Sequence, residues 1–223
     1  MKDKAKRSLD CLVSALALLL TAPILLLIAL WVRLDSKGPV LFTQPRIGRD
    51  RRPFRILKFR TMIDRTAEAI DQHAEQVITS KSDPRITRPG RFLRGMSLDE
   101  LPQLWNILRG DMSIVGPRPI VPEQLEVVPE RFMSRFDVLP GLTGLAQVRG
   151  RRSLGWLQQL EADAEYVRRH GLLYDIGIIA RTVVVVFGGS GVYGEAGQNW
   201  RAYRDALRAE NNGQDYKEDR KSV

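Results

Sequence analysis

The hydrophobic pattern divides the chain into one uninterrupted apolar run and a series of shorter segments. From Cys11 to Val32 it reads CLVSALALLLTAPILLLIALWV, 22 residues without a charge. As a helix this run would extend about 33 Å, enough for a hydrocarbon core of about 30 Å. It is longer than the apolar region of a cleavable signal, and no A-x-A exit site with a neutral mature start follows it. Pro23 sits in its middle, where it removes a backbone donor and leaves the Leu19 carbonyl unpaired, at about 3 kcal/mol in a helix interior. Basic residues lie on both sides: Lys2, Lys4, Lys6 and Arg7 before, then Arg33, Lys37, Arg46, Arg49, Arg51 and Arg52 after. Basic flanks stay on the cytoplasmic face, and a straight span would have to export one of them. The pattern therefore predicts a helix–break–helix hairpin that re-enters the face it left, with Trp31 at headgroup level.

The remaining pattern is that of a small mixed body. Val40-Leu41-Phe42 and Phe54 to Phe59 read as two short strands of a hairpin around Gly48-Arg49-Asp50. Residues 64–79 read as a helix, with Ala67, Ile70, Ala74, Val77 and Ile78 near helical spacing. Ser82-Asp83-Pro84-Arg85 and Arg88-Pro89-Gly90 are loop signals. Ser97-Leu98-Asp99-Glu100 has the spacing of a capping box, followed by Leu101, Leu104, Trp105 and Leu108 as an apolar stripe and by Pro102 near the helix start. Gly116-Pro117-Arg118-Pro119 and Pro140-Gly141-Leu142-Thr143-Gly144 read as tight turns. Trp156, Leu160, Ala164 and Val167 form one face of a further helix, with Glu161, Asp163 and Glu165 opposite. Leu172, Ile176, Ile179, Ala180, Val183 and Phe187 form the next, although Val183 to Val186 reads equally as a strand. Burial at a membrane interface and burial in a soluble core both suit this segment. Gly188-Gly189 ends it, and the chain beyond Arg208 is polar. The fold class expected is mainly α with a small β-hairpin (α+β). Three parts are expected: an anchor with a basic flank (1–36), a cytosolic body (37–197) and a polar tail (198–223).

Composition narrows this picture. The chain has 223 residues, 43% hydrophobic and 27% charged, enough for a domain with a real core. Its net charge of +9 lies wholly within residues 1–60, which hold 13 basic and 4 acidic residues. Between 44 and 60 stand Arg46, Arg49, Arg51, Arg52, Arg55, Lys58 and Arg60 against Asp50 alone. Beside an apolar anchor such a stretch suits anionic lipid or phosphate. Nucleic acid is the poorer partner, because no aromatic-basic RNA motif, helix-turn-helix or zinc site accompanies it. One cysteine, Cys11, excludes a disulfide framework, and two histidines, His73 and His170, exclude a Cys/His metal site. Asp99 and Glu100 fall in a helical first turn, where free N–H groups and the helix dipole stabilise negative charge. Spacing alone leaves helix capping and chemistry both open for them.

Together these blocks resemble the bacterial sugar transferases, the monotopic polyprenyl-phosphate phosphoglycosyl transferases that begin lipid-linked glycan assembly. The resemblance runs from about Lys6 to Tyr193. Its blocks are Lys6-Arg7-x-x-Asp10, the proline-containing apolar run, Gly38-Pro39-Val40-Leu41-Phe42, Lys58-Phe59-Arg60-Thr61-Met62 and Asp83-Pro84-Arg85-Ile86-Thr87. It continues through Ser97-Leu98-Asp99-Glu100-Leu101-Pro102-Gln103, Val115-Gly116-Pro117-Arg118-Pro119 and Pro140-Gly141-Leu142-Thr143-Gly144. Two positions depart from the common pattern: Ala22-Pro23 where many relatives have Ser-Pro, and Thr61 where many have Ser. The chain resembles the minimal form, without the extra N-terminal membrane domain of larger relatives.

The resemblance implies a re-entrant anchor broken at Pro23, interfacial amphipathic helices, and a place at the cytoplasmic face of the bacterial inner membrane. It implies a catalytic pair, Asp99 as nucleophile and Glu100 as Mg²⁺ ligand. The implied partners are a nucleotide-activated sugar (a UDP-sugar), undecaprenyl phosphate as acceptor and membrane lipids, with a homo-oligomer allowed. Arg94, five residues before Asp99, and Arg118 of the Pro-Arg-Pro turn match phosphate-binding arginines. Lys58, Arg60, Gln147 and Arg151 complete the substrate-binding candidates. A non-catalytic, membrane-anchored scaffold with a basic face is the competing expectation.

Overall fold

A single 34-residue helix, α1 (Lys2–Asp35), carries the whole apolar run, and Pro23 lies inside it. The two helices expected on either side of a break are thus one element. Thr21 Oγ1 donates to the Ala17 carbonyl 2.6 Å away, a side-chain bond one turn back and just before the proline. The structure, a computed structural model, describes residues 2–63, 71, 73, 78, 80, 82–188 and 196–219.

One side of α1 is seated on the rest of the chain from end to end. Near its start, Lys6 pairs with Asp175, Arg7 donates to the carbonyls of Ile107 and Leu108, and Asp10 accepts from Ser113 Oγ at 2.7 Å. Midway, Ala17 and Leu18 pack on Ile56, Leu104, Ile107 and Met112. Toward its end, Leu25, Ile28, Ala29 and Val32 pack on Phe59, Leu93 and Leu98. The opposite side exposes Leu12, Leu16, Leu19, Leu20, Leu26, Leu27, Leu30 and Leu34.

The expected hairpin forms around Gly48-Arg49-Asp50, with a first strand that runs on to Ile47 instead of ending at Phe42. Strands β1 (Leu41–Ile47) and β2 (Pro53–Phe59) pair antiparallel, with Leu41 opposite Phe59 and Ile47 opposite Pro53. A second sheet was not legible in the pattern. β3 (Ser113–Val115) and β4 (Gly141–Thr143) form a two-stranded parallel pair, so the Pro140 to Gly144 segment is a strand rather than only a turn. Its register needs glycine, because a Cβ on Gly141 would stand 2.1 Å from the Gly116 nitrogen.

Arg88-Pro89-Gly90 likewise opens a helix instead of a loop. α2 (Arg88–Gly95) starts from Thr87, whose Oγ1 accepts from the Gly90 amide at 3.1 Å, with Pro in the first turn. Only glycine fits at 90, since a Cβ there would meet the Thr61 carbonyl oxygen at 2.0 Å. α3 (Gln103–Arg109) and the short α4 (Pro122–Leu125) and α5 (Leu145–Arg149) follow. The longer α6 (Trp156–Arg169) and α7 (Leu172–Gly188) come next. Val183 to Val186 is helical, not a strand, and Leu173, Ile176, Val183 and Val184 of α7 are exposed.

Two expectations about polar segments need correction. Asp163, placed on the outer face of α6 by the helical pattern, is buried. α8 (Trp200–Asp219) occupies the segment expected as a polar tail, and its Trp200 is buried among Ile47, Ile120, Phe132, Trp156 and Leu160. The helix expected over 64–79 lies outside the described residues apart from Asp71, His73 and Ile78, none of which is helical.

Candidate functional site

The capping box expected at Ser97 is replaced by a strained turn. Ser97 has φ 56° and ψ 20°, in the left-handed region, and its side chain makes no cap bond. Its Oγ instead accepts from Arg151 Nη2 at 3.0 Å. Leu98–Glu100 form one 3₁₀ turn before α3, whose N-cap is Pro102. A serine held in this region persists only when its surroundings enforce it, a pattern that concentrates at functional sites. The stripe that follows is also reassigned: Gln103, Leu104, Asn106 and Ile107 are buried in α3, whereas Trp105 is exposed.

The turn carries its two carboxylates into different surroundings. Glu100 Oε1 accepts from Lys58 Nζ and from Arg118 Nη2, both at 2.7 Å. Lys58 comes from β2 and Arg118 from the turn after β3, so two sheets converge on one carboxylate. Asp99 makes no side-chain hydrogen bond to any described residue. Its electrostatic neighbours are Glu100, Lys58, Arg94 and Arg118.

These surroundings separate the two acidities. Burial, and then the adjacent Glu100 charge, hold Asp99 above the usual carboxylate range against the pull of Lys58, Arg94 and Arg118. Burial alone would raise Glu100 too, but the charges and hydrogen bonds of Arg118 and Lys58 hold it well below its ordinary value. Burial lowers Lys58 despite Glu100. Glu100 is thus a fixed anion, while Asp99 is the carboxylate whose protonation its environment adjusts.

The other sequence candidates fall into two groups. Arg94, on α2, donates to Thr61 Oγ1 at 3.4 Å, and its buried Nε has no partner. Arg151 lies against the turn through Ser97. Gln147, on α5, is buried with neither its amide nitrogen nor its amide oxygen hydrogen-bonded. Arg60 goes elsewhere: it is 3% exposed and donates to the carbonyls of Val32, Ser36 and Lys37. It therefore caps the C-terminal end of α1 instead of joining the carboxylates. Pro23 lies within α1, among the residues between its middle and terminal contacts with the body.

No group of three or more His, Cys, Asp or Glu capable of holding a metal occurs among the described residues. Asp99 and Glu100 still suit Mg²⁺, which is held by one or two carboxylates with substrate phosphates and water supplying the rest. One residue that no motif marked is Arg135, in the 3₁₀ segment Glu130–Phe136, which donates to the Arg118 carbonyl at 2.8 Å.

Comparison with known proteins gives consistent matches. The bacterial sugar transferase family model matches residues 1–189. The chain is 44% identical over 189 residues to an undecaprenyl-phosphate glucose phosphotransferase of Komagataeibacter xylinus, covering 80% of this chain and 35% of that protein. It is 45% identical over 190 residues to a UDP-glucose:undecaprenyl-phosphate glucose-1-phosphate transferase of Caulobacter vibrioides, covering 81% and 69%. With the exopolysaccharide production protein ExoY of Rhizobium meliloti it shares 40% identity over 199 residues, covering 85% and 88%. The chain thus spans about a third of the length of the first of these relatives and most of the third.

Proposed function

The chain belongs to the bacterial sugar transferase family, and from that premise we propose that it transfers a sugar-1-phosphate from a UDP-sugar to undecaprenyl phosphate, releasing UMP. The reaction would be a membrane step of polysaccharide assembly at the cytoplasmic face of the inner membrane. The observation that carries the reading is the carboxylate pair: Glu100 fixed between Lys58 and Arg118, with an unbonded Asp99 beside it.

The chemistry proceeds in two displacements. An Asp99 carboxylate oxygen attacks the sugar-bearing phosphorus of the donor, and the bond from that phosphorus to the bridging oxygen breaks. UMP leaves with the bonding electron pair, and the phosphosugar remains on Asp99. An oxygen of undecaprenyl phosphate then attacks the same phosphorus and expels the Asp99 carboxylate. A diphosphate repels an anionic nucleophile, so Arg94, Arg118 and Lys58 are needed to offset its charge. Mg²⁺ held by Glu100, with Asp99 adjacent, would supply further neutralisation of the phosphate oxygens. Neighbouring residues on a 3₁₀ turn point about 120° apart, so the two carboxylates serve separate roles. Splitting the transfer suits one substrate dissolved in water and another confined to the bilayer. Support for an interfacial site comes from Leu98, next to Asp99, which packs against the cluster that contains Ile28 and Val32 of α1.

The test is a single-substrate incubation. Protein, UDP-sugar and Mg²⁺ without acceptor should release about one equivalent of UMP and stall. The stalled protein should carry a phosphosugar on the Asp99 peptide. Asp99→Asn should remain folded and lose about 10⁴-fold in turnover, as removed nucleophiles do. No adduct, with UMP formed only when acceptor is present, would overturn the covalent route in favour of direct displacement. No UMP release under any condition would favour the non-catalytic scaffold.

A further inference from the structure

Arg118 reaches Glu100 with its side chain, and its own backbone is held from behind. Arg135 Nη2 donates to the Arg118 carbonyl oxygen at 2.8 Å. The same guanidinium is gripped by Asp163, whose Oδ2 accepts from Arg135 Nη2 at 2.8 Å and from Nε at 3.1 Å. Both side chains are 3% exposed, and the Arg135 guanidinium lies 5.0 Å over the Phe136 ring. A charge pair withdrawn from water to this degree costs desolvation that its attraction barely offsets, so it is weak evidence for stability. Geometry gives it another use. The turn Gly116-Pro117-Arg118-Pro119 joins β3 to the following chain: its Gly116 amide donates to the Thr143 carbonyl, its Pro117 carbonyl accepts from the Gly141 amide, Pro119 has no amide donor, and Arg135 supplies the hold on the Arg118 carbonyl between them.

We infer that the buried Arg135–Asp163 pair is a positioning device for Arg118, fixing the backbone from which that side chain reaches Glu100 and the donor phosphates. The inference rests on the function proposed above for its effect on turnover, but not for its effect on the turn. Asp163 orients the planar guanidinium, Arg135 fixes the Arg118 carbonyl, and Arg118 faces the carboxylate. Arg135 and Asp163 touch neither substrate nor reacting atoms in this scheme. The relay links α6 and the 3₁₀ segment before β4 to the active turn.

Replacing both partners by apolar residues of similar size, Arg135→Met with Asp163→Leu, removes the pair without stranding a buried charge. The full-length protein in detergent should keep its thermal midpoint. Hydrogen exchange of the Gly116–Val121 segment should quicken by roughly 10-fold while that of α6 stays unchanged, because only the turn loses a tether. Turnover should fall by about 10-fold or more, and the same double replacement in an Arg118→Gln background should change it less than about 2-fold, since residues acting through one another are not additive. Arg135→Lys keeps the charge and should show the same non-additivity if the apolar pair fails to fold. Unchanged exchange at 116–121 overturns the inference whatever the turnover. An equal loss in the Arg118→Gln background overturns it too, by showing that the pair acts elsewhere. If the unsubstituted protein releases no UMP, the function reading fails separately, and the exchange measurement alone decides the positioning role.

Discussion

Asp99 and Glu100 are adjacent residues whose acidities shift in opposite directions: burial and the Glu100 charge raise Asp99, whereas Lys58 and Arg118 both bond Glu100 and hold it low against its own burial. That asymmetry has a kinetic consequence. An attacking Asp99 must be ionised, and burial with the Glu100 charge keeps its proton on to higher pH than an ordinary carboxyl. Activity should therefore fall on the acid side at a pH above the usual carboxylate range, with kcat/KM reporting the free enzyme. Two replacements should move this limb in opposite directions. Glu100→Gln removes the charge that raises Asp99 and should shift the residual activity's limb downward. Lys58→Met removes a charge that lowers Asp99 and should shift it upward. A limb that ignores both substitutions belongs to another group and removes Asp99 as the titrating nucleophile.

At the scale of elements, the chain's pattern revealed whatever depends on local periodicity. The hairpin and α6 follow from spacing that a single face must bury and α1 from one unbroken apolar run, whereas the stripe expected on α7 forms a helix but stays exposed at Leu172, Ile176, Ile179 and Val183. Destinations of charged side chains do not follow from spacing. Asp163 sits where a helical pattern reads solvent, yet Arg135, 28 residues away, draws it into the interior. Arg60 stands in a motif with Lys58, but Lys58 is in β2 and Arg60 lies just past its end, so sequence proximity does not give them a shared partner. Lys58 turns to Glu100, while Arg60 reaches back to the last carbonyls of α1. The parallel β3–β4 pair was hidden because three-residue strands joined across a long connection carry no period. This placement of Arg60 predicts a structural phenotype. Arg60→Met should leave the α1 carbonyls unpaired and cost about 2–3 kcal/mol. In detergent the thermal midpoint should drop by roughly 5–10 °C, as expected for a chain of this size, while the donor KM of the folded fraction stays within about 2-fold. A raised KM with an unchanged midpoint would return Arg60 to the substrate site.

For the whole molecule, the decisive feature is that both ends of one apolar helix touch the same body. At 1.5 Å per residue α1 is about 51 Å long, well beyond a hydrocarbon core of about 30 Å. If α1 crossed a bilayer along its normal, either the contacts of Lys6 and Asp10 or those of Ile28 and Val32 would have to break. The body could not follow, because it carries exposed charge at Arg49, Arg51, Arg52 and Arg55. A helix lying against the body with its leucine side turned into the leaflet keeps every contact and exports no basic flank. We therefore expect both termini on the cytoplasmic side. Single cysteines at positions 3 and 215, with Cys11 first replaced, should label with an impermeant thiol reagent only after inner-membrane vesicles of the opposite orientation are exposed to it, and both together. Pro23→Leu should restore the missing backbone bond to Leu19, stiffen the run and let a fraction of molecules span, so that position 3 then labels from the far side. If the two positions already label from opposite sides in the unaltered sequence, α1 crosses the membrane and the contacts at one of its ends do not survive in the bilayer.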